Sequence, residues 1–386
     1  MISAKDFDQA GIYVGRVWRP GIGPSIVRLE GGDVLDISSQ DLPTMHDLLE
    51  KDGPAIAARD AKGEVVCTLN DLVKSSFEAA QKGVQDHLRF LAPLDLQAVK
   101  ASGVTFAESM VERVIEEQAA GNLEMADGIR ARVKAVIGDT LSGVKPGSEA
   151  AAKIKTILQD EGVWSQYLEV GIGPDAEVFT KSQPMGSVGY GACVGLHPMS
   201  NWNNPEPEIV LAINSKGVIM GATLGNDVNL RDVEGRSALL LGRAKDNNAS
   251  CSIGPFLRLF DDGYSLDDVR KAELYLHVKG IDDFVLEGHS SMTKISRDPA
   301  DIVAQTIGRH HQYPDGFFLF LGTMFAPVKD RNGVGQGFTH HCGDLVTITE
   351  KKLGSLQNIV RLSTECPPWR FGTAALMRNL VGRGLI

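Results

Sequence analysis

The sequence predicts an α+β protein: a smaller N-terminal α+β domain over residues 1–90, then a long β-rich region over 91–386 that carries a helical insertion. Three observations lead there. Beyond Gly173-Pro174 the apolar segments are short and punctuated by Gly, Asn, Asp and Pro, which is the signature of strands joined by turns. Helical patterning is concentrated between residues 105 and 159. The strands do not alternate with helices at a regular length, so a mixed or antiparallel barrel-like sheet is expected rather than a doubly wound parallel one.

Taken in order, Gly11 to Pro20 and Ser25 to Ile37 read as short strands, the second pair turning at Gly31-Gly32, and Pro43 to Glu50 as a short helix. From Asn70 the pattern is helical, with Leu72, Ser76, Ala79 and Ala80 on one face, until Gly83 and Pro93 break it. A soft boundary falls near residue 90. Helices follow over Thr105 to Ala120, Leu123 to Ile137 and Ser148 to Gln159, the last two separated by the turn-rich residues 140–147. Strands are then expected at Ile209 to Ile213, Val218 to Ala222, Phe256 to Leu259, Leu274 to Val278, Phe317 to Gly322 and Leu345 to Thr349. There is no internal repeat and no low-complexity tract.

Composition narrows the function classes. With 386 residues, 43% hydrophobic and 23% charged, the chain is neither disordered nor fibrous. Its 39 Lys+Arg against 49 Asp+Glu give a net charge of −10, and no basic run exceeds Lys351-Lys352, so nucleic acid is excluded as a partner. The five cysteines (Cys67, Cys193, Cys251, Cys342, Cys366) are scattered and never form C-x-x-C, which argues against a disulfide framework and a thiolate zinc site. Reduced cytoplasm is the expected location, since residues 1–10 carry Asp6 and Asp8 and no apolar run. The most apolar stretch, Gly316 to Phe325, is half the ~20 residues of a membrane span and reads as a buried strand.

The densest chemical signal is Asn203-Asn-Pro-Glu-Pro-Glu-Ile-Val-Leu-Ala-Ile213. Glu206 and Glu208 are two apart, so on a strand they share a face at about 6.5–7 Å, where a hard divalent cation would relieve their repulsion. A third carboxylate, Asp227, sits where the next strand ends in a turn, and Lys245 precedes Ile253-Gly-Pro255. Each of these has an ordinary alternative: a solvated strand face, an Asx turn, a solvated cation.

Together, the Glu-x-Glu, the strand-end Asp and the following Lys resemble the fumarylacetoacetate hydrolase family. Glu177-Val-Phe-Thr-Lys181, Gly225-Asn-Asp-Val-Asn-Leu-Arg-Asp232, Leu321-Gly-Thr323, Gly343-Asp344 and Lys352-Leu-Gly354 are similar to further signatures of that family. The resemblance covers roughly residues 90–386. It implies a β-rich roll, Mg²⁺ (or Mn²⁺) on Glu206, Glu208 and Asp227, and a homodimer or homotetramer.

One departure directs the chemistry. Where hydrolases of the family read Gly-x-Asn-Tyr-x-x-His-x-x-Glu, this chain reads Gly103-Val-Thr-Phe-Ala-Glu-Ser-Met-Val-Glu112, with Ser109 at the histidine position. The base that would activate water is missing. Attention turns to the flanking carboxylates: Glu112, one turn on, is preferred as a catalytic acid, while Glu108 completes a capping-box pattern with Thr105.

Within the family, the segments around Glu206–Glu208, Asp227–Ser237 and Phe338-Thr-His-His-Cys-Gly-Asp344 are most similar to dehydratases of 2-keto-3-deoxy-pentonates. The resemblance implies a Mg²⁺-dependent hydro-lyase that converts a small sugar acid to 2,5-dioxopentanoate and water in pentose oxidation. Lys245 is then the expected C3 base, its pKa lowered by a nearby cation and partial desolvation. Thr339 is expected to bind the substrate carboxylate, and Lys181 and Arg231 to act as anion partners, unless the latter two pair with Asp232 or Glu234. The pairs His310-His311 and His340-His341 are not read as metal sites, because adjacent strand residues face opposite ways. A hydrolase of 2,4-diketo acids, of the acylpyruvase type, is the first alternative, and a metal-stabilised binding protein without turnover the second.

Overall fold

The computed structural model describes residues 1–137, 141, 143–162, 164–325, 327–333 and 336–386. Part of the turn expected over 140–147 lies outside the described residues.

Two sheets form the frame. The larger has the strand order Glu64–Thr68, Asp33–Asp36, Gly23–Glu30, Tyr13–Arg19, Cys251–Leu259, Ile219–Asp227, Pro207–Ile213, Phe317–Phe320, Ala98–Ser102 and Val178–Ser182, with Arg89–Leu91 also beside Tyr13–Arg19. The smaller runs Val285–Ser291, Glu273–Lys279, Leu345–Glu350, Gly354–Leu362 and Cys193–Leu196. Pairing is antiparallel except between Phe317–Phe320 and Ala98–Ser102 and between Gly354–Leu362 and Cys193–Leu196. The expected mixed sheet is therefore present.

Alternation fixes which way the central strands face. Along Pro207–Ile213, Ile209, Leu211 and Ile213 enter the core between the sheets, while Val210 and Ala212 enter a second core on the opposite face. Phe317 and Leu319 divide from Phe318 and Phe320 in the same way. Both faces are covered, so these strands are apolar throughout; this is why the Gly316 to Phe325 stretch reads as strongly apolar. Among the described residues, no helix is long and apolar enough to cross a membrane.

The outer face is covered by the short helices Met45–Leu49 and Pro54–Asp60 through Met45, Leu48, Leu49, Ala55 and Ala58. Leu69–Lys82 starts where Thr68 Oγ1 accepts from Asp71 N at 3.2 Å and stops at Gly83, whose φ of 65° suits glycine. Residue 90 lies within Arg89–Leu91, and Tyr13–Arg19 pairs with Cys251–Leu259, so hydrogen bonding runs unbroken across the expected soft boundary. The helices Ala107–Gln118, Leu123–Ile137, Glu149–Asp160 and Gln166–Ile172 form the insertion, with their own apolar core around Val114, Ile115, Leu158 and Leu168.

A buried ion-pair cluster ties Arg331 to residues 340–344. Arg331 donates to both oxygens of Asp344 at 2.7 Å, and Asp344 also meets His340 Nδ1 at 3.0 Å and accepts from His341 N. Burial pushes the Asp344 carboxyl up, but Arg331, His340 and the backbone outweigh it and hold it at about 2. A carboxyl depressed in the fold stabilises above its unfolded pKa, roughly 4, and loses that contribution as pH falls through about 2. Asp344→Ala should cost about 3–5 kcal/mol in denaturant titrations at pH 7, because the buried Arg331 guanidinium loses its two-pronged partner. Its deficit relative to wild type should shrink below pH 3.

Candidate metal and proton-transfer site

The strand-end residues converge as the spacing implies. Glu206 precedes Pro207–Ile213, Glu208 lies within it, and Asp227 closes the neighbouring Ile219–Asp227, where Asp227 N donates to Glu206 O at 3.0 Å. One carboxylate oxygen from each of the three lies within 4.8 Å of the others, and all three residues are buried. Among the described residues this is the only such cluster of His, Cys, Asp and Glu, and neither histidine pair contributes. Burial and the Asp227 and Glu206 charges push Glu208 well up, while its one hydrogen bond comes from Gly322 N at 2.7 Å. Three like-charged buried oxygens with one member lacking a cationic partner form a donor set suited to a hard divalent ion.

Two lysines complete the centre. Lys245, at the end of the short helix Leu241–Lys245, reaches Glu206 Oε2 and stands 3.1 Å from Asp227 Oδ2. Burial lowers its pKa, but Asp227, Glu206 and Glu234 overcome this and raise it above the ordinary lysine value. The expected lowering rests on a nearby cation; the carboxylates by themselves favour the ammonium form. Lys181 spends its ammonium on Asp227 Oδ1 at 2.7 Å, Val228 O at 3.1 Å and Lys245 O at 2.6 Å. Two carbonyl hydrogen bonds and one ion pair engage the Lys181 ammonium here. Burial raises Asp227 while the two lysines pull it down, and the lysines prevail.

The Ala107–Gln118 helix presents a polar stripe, Ser109, Glu112, Arg113 and Glu116, at i, i+3, i+4 and i+7. Arg113 bridges Glu206, Glu116 (2.6 Å) and Glu234 (2.7 Å). Ser109 donates to Thr323 O at 2.7 Å. Glu112 is held by Arg130 at 3.0 Å and Arg231 at 3.2 Å. Arg231 also binds Glu116 at 2.6 Å and lies 4.4 Å over the Trp202 ring, so it pairs with neither Asp232 nor Glu234. Asp232 instead accepts from Ser200 and Asn201. The expected capping box is absent: Phe106 is the N-cap residue, and Thr105 Oγ1 donates to Leu321 O at 2.7 Å. Glu108 is exposed, 3.7 Å from Lys294, and lines a separate cleft with Glu112.

A small pocket opens on the triad, lined by five carboxylates (Glu177, Glu206, Glu208, Asp227, Glu234) against two cations, Arg113 and Lys245. Neither Glu112, Glu108, Arg231 nor Thr339 is among its walls. Thr339 donates to Asn201 O at 3.1 Å and so steadies the segment leading into Glu206. Arg113, Glu177 and Glu234 are the residues that sequence reasoning missed. Glu177 precedes Val178–Ser182, where it shares a face with Phe179 and Lys181, and Gly103 N donates to its carbonyl at 3.0 Å. Only glycine fits at 103, since a Cβ there would lie 1.9 Å from Glu177 Oε2. Burial raises the Glu177 carboxyl against the pull of Arg113 and Lys245, and no hydrogen-bond donor reaches it among the described residues. Burial also raises Glu234 to about 7, although Arg113 holds it.

Residues 197–361 match the fumarylacetoacetate (FAA) hydrolase C-terminal family. The chain is 29% identical over 213 residues, 55% of its length and 68% of the relative's, to a probable 2-keto-3-deoxyxylonate dehydratase of Haloferax volcanii. It is 30% identical over 183 residues, 47% of its length and 57% of the relative's, to a 2-dehydro-3-deoxy-D-arabinonate dehydratase of Saccharolobus solfataricus. The fold overlays on the apo form of a 2-keto-3-deoxy-D-arabinonate dehydratase with a TM-score of 0.61 and 20% identity, covering 91% of this chain and 99% of that one. A dehydratase of the same name complexed with magnesium and 2,5-dioxopentanoate gives 0.60 at 20% identity with the same coverage. The roll implied by the motifs is thus the observed fold.

Proposed function

We propose that the chain is a divalent-metal-dependent hydro-lyase that removes water from a 2-keto-3-deoxy-pentonate to give 2,5-dioxopentanoate. The observation that carries this is a single pocket joining the acidic triad, one amine and one unpaired, raised carboxyl, Glu177. The names of the two relatives, and the magnesium and 2,5-dioxopentanoate held by the structural neighbour, support the same reading. Hydrolysis of a 2,4-diketo acid fits less well: no histidine lines the pocket, and the Ser109 hydroxyl is given to a carbonyl.

Glu206, Glu208 and Asp227 would hold Mg²⁺ or Mn²⁺, which when bound would polarise the 2-keto group of the substrate and so acidify C3. Lys245 is the base for the C3 proton in its neutral form, which becomes accessible when Glu206 and Asp227 are engaged elsewhere. Glu177, whose burial favours the protonated form, returns a proton to the C4 hydroxyl as the C4–O bond breaks. Water leaves, and the unsaturated product tautomerises in two proton shifts, from C5 to C3 and then from the C5 hydroxyl to C4, leaving an aldehyde at C5. Lys181 and Arg231 are positioning residues in this scheme, the first for Asp227 and the second for Glu112 and Glu116. Assembly into two or four copies, cytoplasmic location and a domain division near residue 90 belong to the same proposal and rest on sequence reasoning.

Aldehyde formation from a panel of 2-keto-3-deoxy-pentonates, coupled to an aldehyde dehydrogenase with and without Mg²⁺, tests the reading. Metal-dependent aldehyde is expected. Pyruvate release from 2,4-diketo acids with no aldehyde from the panel would favour the hydrolase. Glu177→Gln should lower dehydration by roughly 10²–10⁴ while C3 exchange with solvent continues, whereas Glu112→Gln should act through helix stability.

A further inference from the structure

A second cavity, of about 1000 Å³, lies away from the triad pocket and shares no lining residue with it. Its walls are apolar and aromatic, built by Trp18, Phe90, Leu91, Tyr190, Trp369 and Phe371. Of that space about 150 Å³ admits the centre of a water-sized molecule, and the total includes space open to solvent. Strand register places the polar groups in it: Trp18 pairs opposite Arg89, and Arg16 opposite Leu91, so both guanidinium groups enter from the same face. The roof is a strap over residues 367–371. Asn248 donates to Ser363 O at 3.0 Å and Pro367 O at 3.3 Å and accepts from Trp369 N, and Gln85 donates to Pro368 O at 2.7 Å. The Trp18 and Phe371 rings meet edge to face at 5.1 Å.

Charge in this cavity is unbalanced. Arg16 is buried and meets one carboxylate, Asp95 at 3.6 Å, together with Leu94 O. Arg89 is half-buried, donates Nε to Gln85 O at 3.2 Å and sits 5.4 Å from the Trp18 ring centre. Among the described residues no carboxylate lies within ion-pair distance of it. Asp86, the nearest acidic group in sequence, is engaged by Trp18 Nε1 at 2.8 Å and Gly21 N at 3.1 Å. Burial and the Arg16 charge together bring the Arg89 pKa down to about 10. A guanidinium without a carboxylate partner, walled by aromatic rings, lacks an anion that carries an apolar body.

We propose that this cavity binds a small amphipathic anion, an apolar carboxylate or sulfonate, with its charged head on Arg89 and its body between Trp18, Phe90 and Trp369. The site is independent of the metal centre and of the reaction proposed for it.

The test is a fluorescence titration of the full-length protein with 8-anilinonaphthalene-1-sulfonate, followed by displacement with octanoate. Saturable binding of one dye per chain is expected, displaced by octanoate but not by octanol. Arg89→Gln should weaken binding by about tenfold or more, the worth of one charged hydrogen-bond pair. Trp369→Ala, a change on the half-exposed strap that spares the core, should weaken it comparably. Glu208→Gln should leave the titration unchanged. Wild-type affinity in both Arg89→Gln and Trp369→Ala, or non-saturating dye uptake, would overturn the proposal. If Arg89→Gln does not fold, the Trp369→Ala result decides alone.

Discussion

Lys245→Met is expected to abolish turnover, with a fall of about 10²–10⁴ or more, and to stop deuterium exchange at C3 of the substrate. The amine is the one nitrogen base in the triad pocket, since the Arg113 guanidinium does not deprotonate and Lys181 is committed to Asp227 and two carbonyls. The carboxylates that hold the proton on Lys245, Glu206 and Asp227, are also the proposed metal ligands, so its basicity should depend on whether they are engaged elsewhere. Methionine keeps the length and apolar stem of lysine but has no titratable nitrogen. Retained Mg²⁺ binding and an unchanged circular dichroism spectrum would separate a chemical defect from a folding one. Exchange at the wild-type rate in a folded variant would assign the base elsewhere.

Glu208→Gln should remove metal-dependent activity by at least on the order of 100-fold, since even residues that only orient a ligand are worth 10–100-fold. Its effect on the fold should have the opposite sign. Glu208 is buried beside two like charges and bonded only to Gly322 N, so neutralising it relieves repulsion in the metal-free protein. Thermal unfolding in EDTA should therefore show Glu208→Gln at least as stable as wild type. Added Mg²⁺ should raise the midpoint of wild type alone, because binding to the folded state stabilises it by mass action. Asp227→Asn should share the loss of activity but not the stability gain, because Lys181 and Lys245 both lean on that carboxylate. A Mg²⁺-induced rise of equal size in Glu208→Gln would remove that residue from the ligand set.

The triad was legible because its geometry is local. Glu206 and Glu208 share a strand face by parity alone, and Asp227 closes the strand that pairs beside them, with Pro207 opposite Asn226. The Ala107–Gln118 helix was placed correctly, yet Glu112 was singled out while Arg113 was passed over. Its polar stripe through 109, 112, 113 and 116 was available as a signal, but which member reaches Glu206 depends on how the insertion docks. Glu177 enters the sequence reading only as the first residue of Glu177-Val-Phe-Thr-Lys181. Its burial arises from the pairing of Gly103 with residue 177, a contact that no local pattern reveals. The N-terminal strands were recognised as strands, but their continuation into the catalytic sheet rests on Tyr13 opposite Arg258, a pairing across most of the chain.

The central claim is that this pocket eliminates water through Lys245 and Glu177 under the control of a divalent ion held by Glu206, Glu208 and Asp227. It is tested most directly by NMR of a 2-keto-3-deoxy-pentonate turned over in D₂O. The expected product is 2,5-dioxopentanoate carrying deuterium at C3, formed with Mg²⁺ and absent in EDTA. Undiminished turnover in EDTA, or carbon–carbon cleavage products in place of the dioxo acid, would contradict it.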